Sequence, residues 1–249
     1  MGKRERLDRL LVERGLVAGR EEGRSRILAG EVLVNDRPAA KAGSLVDSNA
    51  SIRLRGNPLP YVSRGGIKLE KALKEFQIEV RDKVVLDVGA STGGFTDCLL
   101  AYGARQVYAV DVGYGQLDWK LRNDPRVVVL EKRNIRYLEA QELSEPPQLA
   151  TIDVSFISLR LVLPKVKGLL TPNGEVLALI KPQFEVGKGK VGKGGVVRSH
   201  EEHLRVVEEI KEAAVALKME VGGVTESPLL GPKGNREFFI YLLKKNGAQ

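Results

Sequence analysis

The sequence holds one cysteine, two histidines and one tryptophan in 249 residues, and aromatics make up only 5% of it. A lone Cys98 rules out an internal disulfide, and its place inside a helical pattern makes it a packing residue. His200 and His203 with that single thiol are too few for a zinc site, so no metal is expected. Both histidines open a helix and are expected at the surface. No apolar run approaches the roughly 18 residues that a membrane span needs. Met1-Gly2-Lys3-Arg4-Glu5-Arg6 leads into an amphipathic rather than an apolar stretch, so no signal peptide is expected. There is no internal repeat. These absences together predict a soluble, cytoplasmic protein.

What is present is a basic excess and enough apolar residues for a core. Lys and Arg number 40 against 32 Asp and Glu, giving a net charge of +8 and a pI near 9.5, with 43% hydrophobic residues. Such a balance favours a polyanionic partner, nucleic acid ahead of an anionic membrane surface. Residues 1–60 carry 12 Lys+Arg against 8 Asp+Glu, half of the net charge in a quarter of the chain. Arg4, Arg9, Arg20, Arg24 and Arg26 fall on or between two short helical patterns, Arg6–Leu16 and Arg20–Leu28. They are candidates for holding a phosphate backbone; a solvated helix face is the plainer alternative. Val32-Leu33-Val34 then enters a turn at Asn35-Asp36, and Ser51–Leu54 reads as a returning strand.

Residues 56–63, with two prolines and a glycine, read as a linker dividing a domain over 1–59 from one over 60–249. A helix follows from Ile67 to Phe76. From Val84 onward strands and helices alternate. The strands are Val84–Val88, Gln106–Asp111, Val127–Glu131, Ala150–Asp153 and Glu175–Ile180, with helices near Gly93–Tyr102, Leu159–Leu170 and Glu201–Leu217. That alternation predicts an α/β fold with a parallel sheet covered on both faces. Met219–Ser227 and Phe238–Leu243 have no helix between them and should pair antiparallel.

The stretch that organises this half is Leu86-Asp87-Val88-Gly89-Ala90-Ser91-Thr92-Gly93-Gly94-Phe95. An apolar strand stops at a glycine, and Gly93-Gly94 opens a helix, so the backbone can approach a nucleotide-like ligand closely. About 17 residues past Gly94 a second strand ends in Asp111, where a carboxylate typically binds ribose hydroxyls. The loop departs from the dinucleotide G-x-G-x-x-G spacing and suits S-adenosyl-L-methionine better than NAD. Gly89, Ser91 and Gly93 are expected at the methionine end, Asp111 at the ribose and Asn134 at the adenine. Asn134 is nearly as good a plain turn residue, and a glycine turn that binds nothing is the bland reading of the loop. Asp153 and Lys181 also stand at the carboxyl ends of strands, where ligands bind in open α/β sheets. Gly187–Ser199 is dense in Gly and Lys, and Lys188, Lys190 and Lys193 make it a candidate mobile RNA-contacting loop or a merely soluble one. Tyr114, Trp119 and Phe156 offer stacking faces for a base, though core or pocket packing is the leading expectation for each.

Two resemblances sharpen this. Arg6-Leu7-Asp8-x-x-Leu11-Val12-x-x-Gly15-Leu16, Arg20, and Ile27-Leu28-Ala29-Gly30-x-Val32-x-Val34-Asn35 resemble the small αL-type RNA-binding domain, over roughly residues 4–55. That family usually has Ser ahead of the second-helix Arg and Ala further along that helix, where this chain has Gly19 and Gly23; the lost cap weakens the helix start. Further on, Gly66-Ile67-Lys68-Leu69, Ile152-Asp153, Ile180-Lys181-Pro182 and Arg236-Glu237-Phe238 match in order the Lys-Asp-Lys-Glu tetrad of FtsJ-type ribose 2′-O-methyltransferases. An αL-type domain ahead of such an enzyme resembles the TlyA family, described as haemolysins and as ribosomal RNA 2′-O-methyltransferases. The resemblance implies a Rossmann-like class I S-adenosylmethionine-dependent methyltransferase with a small N-terminal α+β αL-type RNA-binding domain, acting on ribosomal RNA or ribosomal subunits. It implies Lys181 as the base for the ribose hydroxyl, with Lys68 beside it and Asp153 and Glu237 holding the two ammonium groups. A non-catalytic RNA-binding protein and a membrane-active haemolysin are the weaker alternatives.

Overall fold

The computed structural model describes residues 4–17, 19–28, 30–39, 41–55, 60–187, 191–192 and 194–245, and the chain divides into two units, residues 1–59 and 60–249. In the first unit β1 (Arg4–Arg6) runs directly into α1 (Leu7–Glu13), followed by α2 (Arg20–Leu28) and the short strands β2 (Val32–Val34), β3 (Arg37–Pro38), β4 (Leu45–Asp47) and β5 (Ile52–Leu54). β3, β2 and β5 form an antiparallel sheet in that order, and β1 pairs with β4. Asn35 and Asp36, both at positive φ, make the two-residue turn between β2 and β3. The helical pattern expected to reach Leu16 stops three residues earlier. Gly15 takes φ +65, and the Leu16 N–H folds back to the Leu11 carbonyl at 2.9 Å, a left-handed glycine cap. Leu7, Leu10, Leu11, Val17, Ile27, Val32 and Ile52 fill the small core.

In the second unit α3 (Arg64–Glu75) starts at Ser63, whose hydroxyl caps the Gly65 N–H at 3.3 Å. After it come β6 (Val84–Val88), α4 (Gly94–Ala101), β7 (Gln106–Val110), α5 (Trp119–Arg122), β8 (Val127–Leu130), β9 (Leu149–Ile152), α6 (Leu159–Leu169), β10 (Glu175–Ile180), α7 (Pro182–Glu185), α8 (His200–Ala216), β11 (Met219–Glu226) and β12 (Phe238–Lys244). One seven-stranded sheet runs in the order β11-β12-β10-β9-β6-β7-β8. Its last five members pair in parallel; β12 is antiparallel to β10 and β11. The terminal hairpin is therefore where its missing helix predicts it.

Alternation along β6 divides the core in two. Val84, Leu86 and Val88 face a cluster with α6 and α8, and Val85 faces one with α3 and α4. The chain leaves β6 toward β7 and β8, then returns to place β9 on the other side. That reversal puts the switch point of the sheet between β6 and β9, where open α/β sheets form their ligand crevice.

Candidate active site

At this switch point Gly89 turns the chain out of β6 with φ +86, and a Cβ there would lie 2.5 Å from the Asp153 carbonyl oxygen. Only glycine lets the loop pass so close to the end of β9. The loop is held from the other side by Asp111. Its Oδ2 accepts from the Ser91 N–H at 2.8 Å and its Oδ1 from the Gly113 N–H at 2.7 Å. Beyond them opens a cleft of about 560 Å³ whose wall includes Gly89, Ser91, Asp111, Asn134 and Asp153. Asn134 serves the wall and the turn alike, since its Oδ1 also caps the Arg136 N–H at 3.1 Å. Gly93 does not line the cleft. It starts α4 at φ +95, and a Cβ there would meet the Leu121 and Leu117 side chains at 2.2 and 2.8 Å, so only glycine fits where the loop meets these two side chains.

Underneath the loop lies a carboxylate that sequence reasoning left unassigned. Asp87 is fully buried on the α4 side of β6, accepting from Thr96 Oγ1 at 2.6 Å and Thr151 Oγ1 at 3.0 Å. Burial pushes its pKa up to about 7, against the pull of the two hydroxyls. The three residues tie β6, β9 and the first turn of α4 together directly below Gly89.

The ladder of β10 and β12 assembles the rest. Ile180 pairs with Phe238, so the next positions outward, Lys181 and Glu237, emerge side by side at one edge of the sheet. β9, on the other flank of β10, delivers Asp153 to the same edge. Lys68 reaches in from α3. Two ion pairs result: Lys68 Nζ to Glu237 Oε2 at 2.7 Å and Lys181 Nζ to Asp153 Oδ1 at 2.5 Å. Each ammonium thus has its own carboxylate. Lys181 Nζ also donates to Ser155 Oγ at 3.0 Å, a partner the sequence did not single out. Asp153 Oδ1, although within ion-pair distance, has no aligned hydrogen bond, and neither does Glu237 Oε1 or Gln183 Oε1. Buried acceptors without donors are rare in folded proteins; with the Lys181 ammonium beside Asp153 Oδ1, the unpaired ones here are Glu237 Oε1 and Gln183 Oε1. Glu237 Oε1 presses on Gly231, where a Cβ would come within 1.9 Å.

Several expectations change. His203 is buried, 3% exposed, with Nε2 3.0 Å from the Val197 carbonyl and its ring against Phe238; the apolar face of α8 that carries Val206, Val207 and Ile210 also carries it. His200 is exposed as expected. Tyr114 and Trp119 are not packed away but 71% and 75% exposed, whereas Phe156, 90% exposed, lines the cleft as the pocket alternative has it. Phe156, at φ +64 in the turn after Asp153, lies 4.9 Å from the Phe184 ring. In the first unit the arginines are organised by carboxylates rather than free. Arg6, Arg20 and Arg24 converge on the buried Asp8 at 2.8, 3.0 and 3.6 Å, which holds its carboxyl well below the usual range. Arg9 pairs with Glu13 and Glu5, and Arg26 with Glu22 and Glu31. Arg4 sits opposite Asp47 in the β1–β4 ladder. Lys188, Lys190 and Lys193 lie outside the described residues.

Comparisons with known proteins identify the family. Residues 61–244 match the FtsJ-like methyltransferase family and residues 5–52 the S4 domain. The 16S/23S rRNA (cytidine-2′-O)-methyltransferase TlyA of Mycobacterium tuberculosis is 46% identical over 243 residues, covering 97% of this chain and 91% of that protein. This chain belongs to the TlyA family. Hemolysin A of Brachyspira hyodysenteriae is 42% identical, with 96% of this chain and 99% of that protein covered. A solved structure from Streptococcus thermophilus, provisionally described as a hemolysin, is 44% identical with a TM-score of 0.78 over 100% of this chain and 91% of that one. A Mesorhizobium loti S-adenosylmethionine-dependent methyltransferase, 14% identical, shares the fold alone, with a TM-score of 0.53 over 71% and 97% of the two chains. In this TlyA-family chain no described helix is long and apolar enough to cross a membrane, and the described residues contain no group of acidic, His or Cys side chains that would hold a metal ion.

Proposed function

We propose that this chain methylates the ribose 2′-hydroxyl of a ribosomal RNA nucleotide, with S-adenosyl-L-methionine as methyl donor. The observation that carries the proposal is the shared position of Asp153. It forms part of the cleft wall at the end of β9 and, through Lys181, part of the charged edge beside it. A donor in the cleft therefore meets an acceptor held at the tetrad. The cleft suits an adenosyl group: Gly89 permits close backbone approach, and Asp111 and Asn134, both on the cleft wall, are the residues we assign to the ribose and the adenine. Bound there, S-adenosylmethionine would supply an electrophilic methyl group on a sulfonium.

The chain's own residues then do three things. Ser155 and Asp153 fix the Lys181 amine in one orientation, against which the 2′-hydroxyl docks. Once the Lys181 ammonium has given a proton to solvent, the amine takes the hydroxyl proton as the new O–C bond forms and the donor's methyl–sulfur bond breaks, the sulfur keeping the electron pair. Asp153 pairs with the ammonium that results. Lys68 and Glu237, whose free Oε1 offers an acceptor, position the ribose on the other side. Much of the rate comes from aligning hydroxyl, methyl and sulfur. In the S4 unit, Arg4, Arg9, Arg20, Arg24 and Arg26 supply contacts to RNA phosphates, the Asp8 cluster presenting its guanidinium groups in fixed orientations.

The test is to incubate unmethylated ribosomal subunits with methyl-labelled S-adenosylmethionine and map alkali-resistant linkages. Label at a ribose whose 3′ linkage resists alkali supports the proposal. Label on a base, or none, overturns it.

A further inference from the structure

The segment that follows Lys181 is bound to the segment that follows Asp153 at its far end as well as at the lysine. Glu185, at the end of α7, has a side chain only 2% exposed. Its Oε2 accepts from Ser158 Oγ at 2.5 Å and its Oε1 from the Leu159 N–H at 2.8 Å. Arg160 adds a hydrogen bond to the Glu185 carbonyl at 3.3 Å. Burial raises the carboxyl's pKa, so the chain accepts a desolvation cost at this position. Ser158 caps the Arg160 N–H at 3.2 Å and Glu185 caps the buried Leu159 N–H beside it, the first of α6. What Glu185 adds is a link between two turns.

We infer that Glu185 is a positioning residue for methyl transfer, locking the Lys181 turn to the Asp153 turn so that the lysine amine keeps its place. The two turns touch through the pair Lys181–Asp153, the bond Lys181–Ser155, the rings Phe184 and Phe156, and Glu185 with Ser158 and Leu159. The first three end at the charged edge or in solvent, where substrate must enter; Glu185 is the buried one. α7 transmits its hold over a single turn, with the Phe184 N–H on the Lys181 carbonyl at 2.9 Å and the Val186 N–H on the Pro182 carbonyl at 3.0 Å. A one-turn helix pinned at its last residue has little freedom at its first. Loss of the pin displaces Lys181 relative to the hydroxyl, while Gly89, Asp111 and Asn134, on other elements, keep their places on the cleft wall.

This rests on the reaction proposed above, and the experiment separates the two. Full-length wild type, Glu185→Ala, Glu185→Gln and Ser158→Ala are compared for kcat and KM on ribosomal subunits, for S-adenosylmethionine affinity by calorimetry, and for Tm. Glu185→Ala should lower kcat by about tenfold to a hundredfold, the scale of a small misplacement, with the cofactor dissociation constant within twofold. Glu185→Gln should recover most of it, its carbonyl accepting from Leu159 and its amide donating to Ser158 Oγ. Ser158→Ala cuts the same link from the other side and should show a smaller loss of the same kind, which covers the case of a Glu185→Ala protein that does not fold. Wild-type kcat in the folded variants, equal loss in Ala and Gln, or a loss of cofactor affinity in place of kcat would each overturn the inference. An inactive wild type would instead remove the reaction on which it stands.

Discussion

Around Gly89 the main chain itself forms the wall of the site, whereas around Lys181 the wall is made of long charged side chains. The cleft owes its shape to a glycine at φ +86 that passes close to the Asp153 carbonyl, and to Asp111 gathering two backbone N–H groups. The tetrad owes its shape to two ion pairs contributed by four separate elements. A wall of backbone is spoiled by adding an atom, and a wall of charges by removing one. The two kinds of damage should also be felt by different ligands, the cofactor in the first case and the hydroxyl in the second.

The largest effect belongs to the charged side. Lys181→Ala removes the amine proposed as base and should lower kcat by about 10² to 10⁴, the usual range for a lost acid–base group. Cofactor affinity measured by calorimetry should stay within twofold. If affinity falls in step with kcat, the two regions are one and the contrast fails. Next is the backbone side. Gly89→Ala meets both the positive φ and the Asp153 carbonyl at 2.5 Å. The loop must shift, and the cofactor dissociation constant should rise by roughly a hundredfold, in line with strain of about 2 to 3 kcal/mol.

The two regions were also unequally legible in the sequence. Gly89, Ser91 and Asp111 lie within 23 residues of one another, and a glycine loop followed by a strand-terminal acid is a local pattern. Lys68 and Glu237 are 169 residues apart. No spacing rule connects them; the antiparallel pairing of β12 with β10 does, and only the family resemblance named them in advance. Ser155, Glu185 and Gly231 escaped notice because a polar residue or glycine in a turn looks ordinary until its partner is known. His203 was legible and misread, since it shares helical spacing with Val206, Val207 and Ile210. Asp87 left the plainest signal, a carboxylate inside a run of buried strand residues. In the αL-type unit the second helix and the β2 and β5 strands were read as found, and the first helix was carried three residues too far. β1 and β4 are no shorter than β2 and β5 but are exposed at both ends, β1 with no apolar residue, so they leave no hydrophobic pattern.

Gly231→Ala tests whether the charged side also depends on backbone. Its Cβ would fall 1.9 Å from Glu237 Oε1, so the carboxylate must swing away and give up its 2.7 Å contact with Lys68. A fall in kcat of about tenfold is expected, measured on ribosomal subunits with cofactor affinity unchanged. Wild-type kcat would mean that Glu237 needs no fixed position.

The remaining effect is one of stability rather than turnover, and it lies beneath the cleft. The Asp87 pKa is raised from the ordinary value near 3.8 to about 7 in the folded chain by burial, with Asp153 adding to the shift. Between those two values the folded protein holds a proton that the unfolded chain has released. Its contribution to stability is therefore full below about pH 4, declines as pH rises toward 7 and is flat above. The total decline is on the order of 4 kcal/mol. Asp87→Asn keeps an acceptor and a donor for Thr96 and Thr151 but cannot ionise, so it should lose this slope. In denaturant titrations the variant should gain on wild type by on the order of 2 kcal/mol between pH 5 and pH 8, whatever constant offset the substitution carries. Parallel stability curves for the two proteins would show that Asp87 ionises alike in both states. The backbone wall would then rest on a charge after all, and its contrast with the tetrad would be one of position rather than of material.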